Sequence, residues 1–369
     1  MAAIRRLGAQ TLPFEKENEN VRAMKAGVGK VTRPRVALGD HTNKNLNVLE
    51  AKTFGDAKKN LTRAKASTLL ATKTPALDMV EVSEALAECA VPNSVKDIDK
   101  EDYHNPQLCA EYVNDIMRYL RAMERKYSVS QDYMNNQHEI NAKMRVILID
   151  WLVQVHTRFQ LLQETLYMTI SIIDRYLACN EVSKQKLQLV GVSAMLLASK
   201  YEEMYAPEIN DFVYITDHAY TKRQIRQMEA QIFKTLDFSL GKPLSLHFLR
   251  RNSKAGEVDA EKHTMAKYLM EVTLPDYTSV KFLPSEIAAA ALCLALKLID
   301  KSSWTPTLEY YSTYTEGQLK PCMKRIAQLV VTKGKDKAVH TKYAQSKFMR
   351  ISTYQCLKSS MIEDIAKGD

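Results

Sequence analysis

Glycine and proline are scarce in this chain, with 11 of each among 369 residues. Sharp turns and strand hairpins depend on both, so their scarcity argues for mostly α-helix. Cysteine is thinly spread. Cys89, Cys109, Cys179, Cys293, Cys322 and Cys356 form no CxxC, and no His/Cys group has metal-ligand spacing. The expectation is free thiols in a reducing compartment and no zinc or other metal site. No apolar run approaches the roughly 20 residues that span a bilayer. The longest, Ile287 to Leu296, stops at Lys297. With no apolar leader segment either, a soluble intracellular protein is expected.

Catalytic signatures are missing as well. There is no G-x-x-x-x-G-K-[ST] or G-x-G-x-x-G loop, no G-x-S-x-G turn and no H-E-x-x-H. The eight histidines have no partners at motif spacing. His156 reads as a packed or hydrogen-bonded histidine. Glu202-Glu203 and Asp174-Arg175 read as helix-end charges and a structural ion pair. These absences point to a binding protein with no catalytic residue and no cofactor.

What is present is ample apolar material, 46% of the residues, in a length that suggests about two to three domains. The net charge of +9 suits a basic solvated tail as well as nucleic-acid contact. Residues 1–95 have scattered apolar positions and much Lys, Asn, Thr and Ala, the texture of a mostly disordered tail. From Asn105 the texture changes. Pro106 can open a helix, and Tyr112, Ile116, Tyr119 and Leu120 recur at helical spacing.

Met144 to Phe159 reads M-R-V-I-L-I-D-W-L-V-Q-V-H-T-R-F, without Gly or Pro. On a helical projection Met144, Ile147, Leu148, Trp151 and Val155 share one arc, and Val146, Ile149 and Val153 a second. A helix apolar on two sides either runs through a domain centre or keeps one side for a partner. Helical segments follow at 161–178, 184–200, 211–215 and 222–236. After Pro243 the pattern restarts at 244–251, 260–274, 284–300, 308–314 and 317–332. Each half has a middle helix rich in small residues: Gly191, Ser193, Ala194, Ala198 and Ser199, then Ala288 to Ala291 and Ala295. Small residues let helices approach closely at the centre of a bundle. The reading is an all-α fold with two copies of one helical unit in tandem, followed by a basic helix or tail from Lys333.

The segments M-R-V-I-L-I-D-W-L-V-Q-V-H, E-T-L-Y-M-T-I-S-I-I-D-R-Y-L, K-L-Q-L-V-G-V-S-A-M-L-L-A-S-K-Y-E-E and E-I-N-D-F-V-Y-I-T-D closely resemble the cyclin box of mitotic cyclins. Q-V-H at Gln154 to His156 and H-F-L-R-R at His247 to Arg251 look B-type rather than A-type. The resemblance runs from about 105 to 343. It implies two tandem five-helix boxes, an N-terminal helix with the first box over 105–240, a second box over 241–340, and a basic extension over 341–369. It also implies a regulatory subunit that activates a cyclin-dependent kinase at G2/M and is not itself an enzyme. A rigid partner that binds only the kinase's active helix position shifts the population toward it.

Carried over by resemblance, the kinase contact is anchored by Lys200 and Glu229. Around them lie Leu197, Tyr201, Phe233, Phe238 and Leu240, with Tyr112, Ile116 and Tyr119 from the preceding helix. A groove for substrates bearing R-x-L motifs matches Met144, Ile147, Leu148 and Trp151, with Leu187 and Gln188 beside it. Gln154 stands where A-type members carry an acid, which implies weaker attraction for the motif's arginine. A B-type phosphate pocket matches Arg250, His263 and Lys267, cations suited to a phosphate. In the tail, Arg35, Leu38 and Asn43 fit the R-x-x-L-x-x-x-x-N destruction box, and Lys16, Glu17 and Asn18 form a KEN motif. Lys44, Lys52, Lys58, Lys59 and Lys65 follow as ubiquitin acceptors for an anaphase-promoting ligase. Leu77 to Leu86 reads as an export signal or a short helix. Location is expected to be cytoplasmic and nuclear by cell-cycle stage, with no nucleic-acid partner. General initiation-type transcription factors share the tandem repeat and would use the positive charge. They carry basic linings and a zinc ribbon, neither of which this sequence shows.

Overall fold

A computed structural model describes residues 95–332 and 338–368. The KEN and destruction-box motifs, the tail lysines and Leu77 to Leu86 lie outside them. Among the described residues there are thirteen α-helices, several single 3-10 turns and no strand. We number the helices α1 (Val113–Lys126), α2 (Ala142–Phe159), α3 (Gln163–Cys179), α4 (Leu187–Glu202), α5 (Ile209–Ile215), α6 (Lys222–Thr235), α7 (Ser245–Ala255), α8 (Ala260–Val272), α9 (Pro284–Asp300), α10 (Pro306–Ser312), α11 (Glu316–Thr332), α12 (Ala338–Tyr343) and α13 (Ser360–Lys367). The first box is α2–α6 and the second α7–α11, so the expected pair of five-helix units is present. Pro106 opens only a 3-10 turn, and α1 begins at Val113.

Local chemistry sets the ends. Asn141 caps α2 by accepting from Met144 N at 3.1 Å, and Thr221 with Gln224 forms a capping box on α6. Asp259 caps α8, and Pro284 and Pro306 occupy first-turn positions where no amide hydrogen is needed. The two small-residue helices are the box centres. On α4 every residue from Leu187 to Ser199 is buried except Gln188, and α3, α6 and α2 pack around it. A Cβ on Gly191 would come within 2.9 Å of Leu148 and 3.3 Å of Leu152, so hydrogen at this position is what lets α2 approach α4. In the second box Ala288 to Ala291 and Ala295 are fully buried on α9, between α8, α7 and α11.

Buried polar groups tie the boxes together. Arg145 on α2 donates to Asp174 on α3 through Nε at 2.7 Å and Nη2 at 2.8 Å. Its Nη1 reaches the carbonyls of Leu274 and Pro275, just past α8, at 3.1 Å. Asp174 therefore does not pair with Arg175, as the sequence reading had it. Adjacent helical residues point about 100° apart, and the Arg175 guanidinium lies over the Tyr127 ring instead, 4.7 Å from its centre. The segment after α11 folds back. Ala338 N donates to Asp150 on α2 at 3.0 Å, while Lys342 and Tyr343 meet the fully buried Glu271 of α8 at 2.6 and 3.0 Å. Helix α13 packs along α11.

Candidate functional site: two exposed faces on a helical scaffold

Helix α1 is unusual for a surface helix. Its polar side docks: Glu124 is buried and accepts from Ser285 N at 2.9 Å and Ser285 Oγ at 2.6 Å, capping α9. Arg121 donates to the Tyr311 carbonyl and lies over Phe248. Met117 and Leu120 touch the core, but Tyr112, Ile116 and Tyr119 form an i, i+4, i+7 stripe that faces outward. Nothing in the packing of α1 needs an aromatic stripe on that side.

At the C-terminal end of α4, Lys200 Nζ donates to Glu229 Oε1 of α6 at 2.7 Å, with the lysine open to solvent and the carboxylate mostly screened. Beside this pair Tyr201 is exposed, and its hydroxyl lies near Gly241. Asp237 and Phe238 take left-handed backbone, turning the Phe238 ring outward and edge-on to Phe233, centres 4.8 Å apart. Leu197 and Leu240, assigned to the contact surface by resemblance, are each only 6% exposed. They face inward and support the surface from beneath. The loop after α4 adds Met204 and Tyr205, 87% and 88% exposed, which sequence reading passed over. The signal was their apolar character directly after S-K-Y-E-E. Glu203, next to them, holds Leu162 N at 2.7 Å and Thr165 Oγ1 at 2.5 Å, fixing the start of α3.

The second face lies along α2. Met144 and Trp151 are half-buried, and Ile147 and Gln154 are exposed, all on one side of the helix. Gln188 on α4 is half-buried. Leu148 and Leu187, expected to be open with them, are 6% and 5% exposed. Leu148 is drawn down over Gly191, so it floors the face rather than presenting itself. On the opposite side Ile149 and Val153 are fully buried and Val146 is half-buried. His156 closes the far end of the helix: its Nε2 donates to the Leu162 carbonyl at 2.9 Å, and Nδ1 is buried without a partner. Burial, aided by the Lys342 charge, pushes this imidazole down to about 4.

The three cations read as a phosphate pocket converge. Arg250 of α7 donates to Glu164 of α3. His263 Nδ1 is 2.8 Å from Ser253 Oγ, and Lys267 follows one turn later on α8. Burial lowers the Lys267 ammonium, and burial with the Lys267 and Arg250 charges lowers His263. Arg250 already has a carboxylate partner, so an incoming anion competes with Glu164. Among the described residues no group of His, Cys, Asp and Glu could hold a metal ion, and no helix is long and apolar enough to cross a membrane.

Models of the N-terminal and C-terminal cyclin domains match residues 115–241 and 243–357. The chain belongs to the cyclin family. The G2/mitotic-specific cyclin-B of Marthasterias glacialis is 52% identical over 368 residues, covering 94% of this chain and 95% of that one. The G2/mitotic-specific cyclin-B of Hydra vulgaris is 59% identical over 275 residues, 74% and 76% of the two chains. The G2/mitotic-specific cyclin-B2 of Anguilla japonica is 56% identical over 290 residues, 78% and 73% of the two chains. A solved viral cyclin from herpesvirus saimiri superposes with a TM-score of 0.54 at 20% identity, covering 58% of this chain and 96% of that one, and shares the fold. The B-type, mitotic resemblance read from Q-V-H and H-F-L-R-R thus stands. As a cyclin the chain is an activating regulatory subunit of a protein kinase and not an enzyme.

Proposed function

We propose that this cyclin binds a mitotic-type cyclin-dependent kinase as a heterodimer and activates it at G2/M. The observation that carries this reading is the exposed face at the end of α4. There the Lys200–Glu229 pair stands among Tyr201, Phe233 and Phe238, and α1 offers a further exposed stripe of Tyr112, Ile116 and Tyr119. Such an apolar face with a charged anchor suits a kinase helix held in its active position. A face held by the packing of the two boxes favours a shift in the partner.

The same reading gives Met144, Ile147 and Trp151 to substrate recruitment through R-x-L motifs, with Gln154 in place of an acid weakening the pull on the arginine. Arg250, His263 and Lys267 serve phosphorylated partners. The tail carries Arg35, Leu38, Asn43 and Lys16, Glu17, Asn18 to the anaphase-promoting ubiquitin ligase for destruction at mitotic exit. The protein works in both cytoplasm and nucleus according to stage.

Purified full-length chain added to an inactive mitotic-type kinase should raise histone-kinase activity. An unchanged rate would defeat the reading. Replacing Arg35 and Leu38 with Ala should prolong the protein's life at mitotic exit. Unchanged turnover would assign destruction to Lys16 to Asn18 or elsewhere.

A further inference from the structure

A cavity of about 100 Å³ lies at the junction of the two boxes, with walls from α3, the link at Lys242 and Pro243, and the start of the second box. Its polar wall is unfinished. Tyr167 Oη and Ser171 Oγ are buried with no hydrogen-bond partner, two of only four such side-chain atoms among the described residues. They sit four positions apart on α3 and so share one face, turned to the same space. An orphaned buried hydroxyl has given up its hydration with nothing in return, and two at one cavity is a poor arrangement for packing alone.

Charge points the same way. Arg145 and Asp174 in the wall are paired with each other, and Asp276 is held by Arg325 at 2.6 Å. Lys242 also lines the cavity, yet it makes no ion pair among the described residues. Burial pulls its ammonium below the ordinary lysine range, while Asp174 and Glu124 act on it without a hydrogen bond. Most of the remaining wall is apolar, Ile170, Val280, Phe282 and Ile287 among it, with Ser245, Thr273 and Ser279 as its polar members. One unpaired cation, two unpartnered hydroxyls and a largely hydrocarbon lining fit an anion with a short tail.

We propose that this inter-box cavity binds a short aliphatic carboxylate. Lys242 pairs with the carboxylate, Tyr167 and Ser171 donate hydrogen bonds to its oxygens, and the alkyl part rests against Ile170, Phe282 and Ile287. The volume holds about three water molecules, which matches an acid the size of acetate. A ligand touching α3, the link and the second box at once binds the folded pair of boxes and stabilises it.

Titrating full-length chain with sodium acetate at constant ionic strength, against sodium chloride, tests this by calorimetry and thermal melting. Saturable binding and a raised melting temperature with acetate alone are expected. Lys242→Met should weaken binding at least tenfold. Tyr167→Phe keeps the ring and the fold, checked by circular dichroism, and should weaken it severalfold. Acetate acting no better than chloride, or binding equally to both variants, would overturn the proposal. So would loss of binding only in Arg250→Ala, Lys267→Ala, which would place the anion at the other cationic cluster. Equal affinity for inorganic phosphate would overturn the role of the apolar wall.

Discussion

His156 shows how one residue can be placed by sequence and explained only by its surroundings. The lack of partners at motif spacing marked it as packed or hydrogen-bonded rather than catalytic. The structure adds that Nε2 is used by Leu162 and Nδ1 has no acceptor, so a second proton would bring a buried charge with nothing to receive it. Its folded value of about 4 lies below the roughly 6.5 of an unfolded histidine. Protonation therefore favours the unfolded chain. The stability it protects is complete above pH 6.5 and is lost as pH falls toward 4. Between pH 7 and pH 5 the loss from this residue is about 2 kcal/mol. His156→Gln keeps a donor for Leu162, so denaturant unfolding should show a smaller fall in stability over that interval than in the parent. His247 and His263, also lowered by burial, contribute a slope common to both chains. Equal slopes would mean His156 is solvated.

At the scale of elements, the helices were legible because period 3.6 and the break at Pro243 survive in the sequence. The five segments of each half correspond to α2–α6 and α7–α11. Depth within an arc was not legible. Leu148 and Ile147 share the outward arc of α2, yet Leu148 is buried at 6% and Ile147 exposed at 43%. The difference arises at Gly191, on another helix, whose missing side chain makes the space Leu148 fills. Long-range pairing was hidden for the same reason. Asp174 finds Arg145, 29 positions away, and nothing local distinguishes that partner from Arg175. Gly191→Val should therefore force α2 from α4 and cost about 1–3 kcal/mol in denaturant unfolding, as overpacked cores do. It should also weaken R-x-L peptide binding by tilting Ile147 and Trp151. Unchanged stability would mean that the α2–α4 contact has slack. Lys200 and Glu229 were found by resemblance alone, since a lysine and a glutamate 29 residues apart carry no spacing signal, and their 2.7 Å contact is a product of the fold.

The described residues form a double box with proposed partner surfaces on separate elements: one at the ends of α4 and α6 with the stripe of α1, the other along α2. The brace of Arg145 and the returning α12, tied to Asp150 and Glu271, hold those elements in one body. The central claim is that the two surfaces act independently on one kinase reaction. The direct measurement is kinase activation and R-x-L substrate turnover by the same purified complexes carrying either Lys200→Ala, Glu229→Ala or Ile147→Ala, Trp151→Ala. The first pair should weaken kinase binding about tenfold or more and lower turnover of every substrate alike. The second should leave kinase binding and turnover of a substrate without the motif unchanged, and cut turnover of the R-x-L substrate severalfold. If both pairs reduce the same quantities in the same proportion, the separation of surfaces is wrong.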